Sequence, residues 1–211
     1  MGYTKVNKNV KEFLSHALLD MITNKVSLSL PRKYKVLIED NIKVNGYFDE
    51  PKTFVVAMSK PVNKWLPIFV HEYCHYRQSI EKEPCYVNFD KVDGIDEYDP
   101  WLAGKAELTK EQLLACTRAC QELELDCEKR AVEIMKKFNL PIDIDYYIRR
   151  GNAYVLFYNY VMKHRTWTKN ISPYDPPEVL LVTPDIWLKS YKTMTPAFED
   201  AITTYCFGGK I

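Results

Sequence analysis

His71, Glu72 and His75 fall within five positions of a 211-residue chain that has only four histidines. On a helix, residues four apart stack on one face, so both imidazoles can aim a nitrogen at the same point. Two convergent imidazoles are the beginning of a site for a first-row metal, with zinc the first candidate. Glu72 projects about 100° round from His71, beside that point. A carboxylate so placed can take a proton from a reacting water without itself being a ligand, which is the general-base arrangement of zinc hydrolases. With four His and fifteen Glu in the chain, a random match to this pattern is expected in roughly one of two hundred such sequences. The plainer alternative is a solvent-facing helix whose two histidines pair with nearby carboxylates.

A catalytic zinc takes three protein ligands and keeps one position open, so a third donor is needed. The run "CQELELDCEKRAVEIM", from Cys120 to Met135, offers several acids. Thr109 and Gln112 have the spacing of a capping box, and a periodic pattern continues from there to about Phe138. On that helix Cys116, Cys120, Leu123, Cys127, Ala131, Ile134 and Phe138 share an apolar stripe. Counting about 100° per residue, Glu124 lies about 60° from the stripe centre and Glu128 about 100°. Asp126 lies about 100° off on the other flank, and Glu122 falls on the far side. Glu124 is therefore the inward acid, with Glu122 and Asp126 as the second-choice pair. For any single acid of this run, an exposed charged flank beside Lys129 and Arg130 is the ordinary explanation.

The residues "HEYCH" resemble the signature of zincin metallopeptidases. In the metzincin subgroup a Gly and a third His follow, whereas this chain has Gln78 and Glu81 at those places. "ELDCEKRAVEIM" is similar to the Glu-x-x-small-acidic pattern of compact bacterial and phage-type gluzincins. The resemblance implies His71, His75 and Glu124 as zinc ligands, with Glu128, one turn on, as a residue that orients a ligand histidine. It also implies peptide-bond hydrolysis, with Glu72 taking a proton from water and delivering it to the leaving amine. Endopeptidase action on a protein or peptide substrate is expected over exopeptidase action. Zincins add an oxyanion stabiliser, for which His164, Tyr147 and Arg149 are candidates. The strand before the motif helix, "TFVVAMS" at 53–59, would edge the cleft and pair with extended substrate. Peptide-deformylase-like enzymes combine the same motif with an upstream Cys, and no Cys precedes this motif. The thiols of the helical stripe read as small core hydrophobes rather than a zinc cluster.

The elements that must position these residues follow from periodicity. Val10, Phe13, Leu14, Ala17, Leu18 and Met21 predict an amphipathic helix over 8–23, with His16 just outside its stripe. "YKVLIEDNIKV" and "KTFVVAMS" predict two or three antiparallel strands, with "NGYFDEPK" as the turn between them. Asn63 as cap and Pro67 in the first turn predict the motif helix over residues 65 to about 81. Residues 82–108, acidic and broken, predict a solvated loop that fits no calcium-binding pattern. A strongly aromatic helix is expected from Asp145, and two short helical stretches in the Pro-punctuated last forty residues.

The expected fold is α+β: a mainly helical, zincin-like single domain spanning 1–211 with a small N-terminal antiparallel sheet. No Gly/Ser run, repeat or low-complexity tract suggests a linker. Formal charge is +1, with 29 basic and 28 acidic residues, and no basic stripe is present. Nucleic acid and membrane are thus not expected as partners, with "KHRTWTK" at 163–169 an example of a local basic patch. A polar N-terminus and the lack of any long apolar run predict a cytoplasmic protein. Six cysteines clustered on one helix and in the motif read as reduced thiols. Two further functions remain alongside hydrolysis: a catalytically silent zincin-shaped metal-binding module serving regulation or protein interaction and, more distantly, proteolysis of DNA-bound proteins.

Overall fold

The computed structural model describes residues 7–38, 42–49, 52–169 and 171–209. The fold is α+β, dominated by helices, and the chain divides into two compact units. One comprises Met1–Glu81 with Lys129–Ile142, the other Lys82–Glu128 with Asp143–Ile211.

The first unit opens with helix α1 (Lys8–Thr23), on which Val10, Phe13, Ala17 and Met21 are buried, as the periodicity predicts. Asn7 caps it by accepting from the Asn9 amide at 3.0 Å. Among the described residues, five short strands follow: β1 (Ser27–Ser29), β2 (Val36–Leu37), β3 (Lys43–Val44), β4 (Gly46–Asp49) and β5 (Thr53–Val56). They form a three-stranded sheet of order β1-β5-β4 and a separate β2-β3 ladder. The sheet is not wholly antiparallel, because β1, absent from the sequence expectation, pairs parallel to β5. β4 also departs from expectation, since Gly46–Asp49 is strand rather than turn. At Gly46 a Cβ would lie 2.8 Å from the Val55 carbonyl and 3.1 Å from an Ile68 methyl, so only glycine admits this approach. Residues 39–41 of the predicted strand region lie outside the described residues.

Helix α2 (Val62–Glu81) carries the histidine motif and is longer than predicted. It begins after Pro61, whose carbonyl accepts from Lys64 at 2.9 Å and Trp65 at 3.2 Å, so Asn63 is inside the helix and not its cap. Pro67 consequently sits within the helix, where its missing N–H costs one backbone bond, and its buried ring fills the core instead. Phe69 joins the layers, its ring 5.9 Å from Phe13 of α1 and 5.0 Å from Phe54 of β5. α2 therefore lies between α1 and the sheet. The segment from Lys129 onward adds Phe138, 5.4 Å from Phe13.

The second unit contains α3 (Pro84–Val87), a 3-10 turn (Phe89–Lys91) and α4 (Tyr98–Leu102) where a loop is predicted. Tyr98 and Trp101 are buried and stacked, which gives these short turns a packing role that an acid-rich composition conceals. Helix α5 (Lys110–Lys137) starts at the predicted capping box: the Gln112 amide donates to Thr109 Oγ1 at 3.1 Å, and the Thr109 amide to Gln112 Oε1 at 3.0 Å. It belongs to the second unit up to Glu128 and to the first from Lys129. Helix α6 (Ile144–His164), capped by Asp143, is buried along most of its length. α7 (Pro177–Leu181) and α8 (Pro196–Phe207) cover it with Val179, Leu180, Phe198 and Ile202. No helix among the described residues is long and apolar enough to cross a membrane.

Candidate metal centre

In the first unit, α2 brings His71 and His75 together as the motif predicts. Their rings are nearly perpendicular, with centroids 4.7 Å apart, and the two Nε2 atoms are separated by 3.2 Å. Two nitrogens at zinc-ligand distance on a tetrahedral ion stand about 3.3 Å apart, so the pair already has the required spacing. His75 Nδ1 lies 2.8 Å from Gln78 Oε1. Because an amide oxygen only accepts, His75 donates from Nδ1 and keeps its lone pair on Nε2, facing His71. Gln78 is fully buried, so this orientation is shielded from competing water. Gln78 is a site residue that the sequence reading passed over. Its signal was its position one helical turn beyond His75. Glu72 is buried on the same helix, beside the pair.

A polar clamp fixes α2 in place. Asp20 of α1 accepts from the Tyr73 hydroxyl at 2.7 Å and from Arg77 at 2.8 Å, while the Tyr76 hydroxyl donates to its backbone carbonyl at 3.3 Å. Burial pushes the Asp20 carboxyl up, but the Tyr73 and Arg77 hydrogen bonds and the Arg77 charge outweigh it and hold the group below the usual range. Arg77 also pairs with Glu81, which receives Arg130 from the far end of α5. Tyr73, flanked by the motif histidines, thus anchors the helix as well as packing against Phe13 at 5.8 Å.

In the second unit, α5 places Glu124, Cys127 and Glu128 on consecutive turns. Cys127 and Glu128 are buried, Glu124 is half-buried, and Glu122 is exposed. Glu128 is thus deeper than its angular position suggests, because α6 closes over it at Gly151. A Cβ there would lie 3.1 Å from Trp187 and 3.4 Å from Glu128 Cγ. Tyr154 and Tyr158 on α6 are a second pair that the sequence reading missed, their hydroxyls 3.3 Å apart. Burial first, and then the charge of Glu124, raises the Tyr154 phenol well above its ordinary value. Burial, Tyr154 and Glu124 do the same to Tyr158. Burial followed by Glu124 likewise raises the Cys120 thiol. The four-residue spacing of these tyrosines was the available signal, legible only once α6 is known to run beside Glu124.

The three oxyanion candidates are not gathered at one point. Arg149 donates to the Leu180 carbonyl at 3.4 Å and to the Thr183 carbonyl, and pairs with Asp185 at 2.8 Å. His164 Nε2 lies 2.8 Å from Glu199 Oε1, with its ring 4.4 Å from Tyr160. Tyr147 is buried near the start of α6. At about 1.5 Å per residue, Arg149 and His164 are about 22 Å apart along the helix, so they cannot serve the same oxyanion. His16 is exposed and rests on the Phe138 ring at 5.4 Å. The basic stretch 163–169 is largely neutralised: Lys163 pairs with Glu199, and Arg165 with Glu107 at 2.9 Å. All six cysteines are free thiols. Compared with family models, curated proteins and solved structures, the chain finds no match.

Proposed function

We propose that this chain is a zinc-dependent hydrolase of peptide bonds with a zincin-like site built on α2. The observation that carries this reading is the His71–His75 pair, with Nε2 atoms 3.2 Å apart and the His75 tautomer set by Gln78. His71 and His75 are the first two ligands. The third comes from the turn of α5 bearing Glu124, with Cys127 as the competing donor, since a buried thiol also suits zinc. Glu128 supports the site from the next turn.

Bound there, zinc supplies a Lewis acid that polarises the substrate carbonyl and makes water a better nucleophile at neutral pH. Glu72 takes the proton from the attacking water and passes it to the leaving amine nitrogen. Gln78 holds His75 in its ligating tautomer.

The test combines zinc stoichiometry with cleavage of an unfolded protein such as casein. Glu72→Gln is expected to retain zinc and lose cleavage by about a hundredfold or more. Full activity in that variant would remove Glu72 from the mechanism. Glu124→Ala and Cys127→Ser separate the two candidates for third ligand, as only loss of the true donor releases zinc at micromolar concentration. Retained zinc with no cleavage by the wild type would favour the metal-binding module.

A further inference from the structure

On the face of the three-stranded sheet opposite α2, the first unit carries an open groove of about 810 Å³. Its floor is one row across the sheet: Ser29, Val55 and Tyr47 are register neighbours. The alternate residues Phe54 and Phe48 point the other way, into α2, at 5.0 Å from Phe69 and 5.8 Å from Tyr76. The sheet therefore separates this groove from the helix that bears the histidines. Val36 of β2 packs on Val55 and closes one end.

The lining is chemically one-sided. It includes Lys33, Lys35 and Lys43, and no acidic residue among the described ones. Tyr34 stands at the rim, 70% exposed, beside exposed Leu37. Three ammonium groups over an apolar, tyrosine-bearing floor form an electrostatic funnel for negative charge on a chain that also offers apolar side chains. The walls are strand edges, since among the described residues β1 pairs only with β5 and β2 only with β3. Strand edges of this kind suit an extended partner segment.

We propose that this groove is a docking site for an extended polypeptide segment in which acidic and apolar residues alternate. The site is separate from the zinc site and independent of it. The net charge of the whole chain conceals it, because the three lysines lie within eleven positions and are offset by acids elsewhere.

The experiment measures anisotropy of a fluorescein-labelled alternating Glu-Tyr dodecapeptide, titrated with the full chain with and without chelator. Binding is expected to weaken about tenfold or more in Lys33→Glu/Lys35→Glu/Lys43→Glu, and to fall between about 0.1 M and about 0.5 M salt. Tyr34→Ala, an exposed position, should weaken it severalfold and guards against misfolding of the triple variant. Glu72→Gln and removal of metal should leave binding unchanged, so failure of the zinc reading and failure of this one are distinguishable. Equal binding by a folded triple variant, or equal binding of a Lys-Tyr dodecapeptide, would overturn the proposal. So would loss of binding on chelation, or adsorption to phosphatidylserine vesicles without peptide binding.

Discussion

At the scale of single residues, the histidine pair depends on side chains that no short motif includes. Gln78 accepts from His75 Nδ1 in a fully buried position, so replacing it removes the group that keeps the His75 lone pair on Nε2. On the proposed zinc reading, Gln78→Leu weakens zinc affinity by about ten- to a hundredfold, measured by competition with a chromogenic chelator. Unchanged affinity would show that His75 is oriented by other contacts. Asp20 acts on the same helix through Tyr73 and Arg77. Its carboxyl is held below the usual range, so it contributes stability that is present above its unfolded value of about 3.9 and is lost as pH falls through the folded value. Asp20→Asn should cost about 1.5–3 kcal/mol at neutral pH, judged from a charge-assisted hydrogen bond. The gap between wild type and variant in urea melts should close as pH drops below about 4. A gap that persists unchanged into acid would mean the loss is one of packing and not of charge.

At the scale of elements, several boundaries were legible because local chemistry sets them. The Thr109–Gln112 capping box appears with both reciprocal bonds, and α1 buries the face its periodicity marks. Thr109→Ala should lower stability by about 0.5–2 kcal/mol, seen as a shift in urea midpoint with little change in slope. A neutral substitution would show that α5 is held by packing alone. The strands were less legible. β1 is three residues long and has no run of β-formers, and a parallel pairing to β5 is decided by the chain path rather than by pattern. β5 itself is the middle strand and not an edge, so it is unavailable to pair with substrate in the way its place before the motif helix suggests. Edge or centre is a property of the neighbours, which a strand does not encode. The start of α2 was misplaced for a related reason: Pro67 looks like a helix beginning, yet its buried ring outweighs one missing backbone bond.

At the scale of the whole molecule, each unit buries thiols and polar groups in ways that composition anticipates only in part. Cys74, Cys116, Cys120 and Cys127 are buried, whereas Cys85 and Cys206 are partly exposed. Burial pushes the Cys206 thiol up to about 11, which leaves little thiolate at neutral pH. Native protein treated with an aromatic disulfide reagent should therefore label first at Cys85, more slowly at Cys206, and at the other four only in denaturant. Rapid native labelling of Cys116 or Cys120 would contradict the packing described for α5. In the second unit, Gln121, Asn152 and Asn159 bond the carbonyls of Val155, Tyr191, Pro184 and Ile186, tying the connection before α8 to the helices.

The sequence by itself determined the residue chemistry and its spacing. A four-residue interval on a helix forces His71 and His75 onto one face, and the Thr109–Gln112 capping box favours a helix start at that point, because both are local geometry. The tertiary structure alone decided which groups surround those residues. Asp20 beneath Tyr73, Tyr154 and Tyr158 near Glu124, and the lysine-lined face of the sheet all depend on how separate elements pack. Packing is set by complementarity between surfaces distant in sequence, and no periodicity within one element records it.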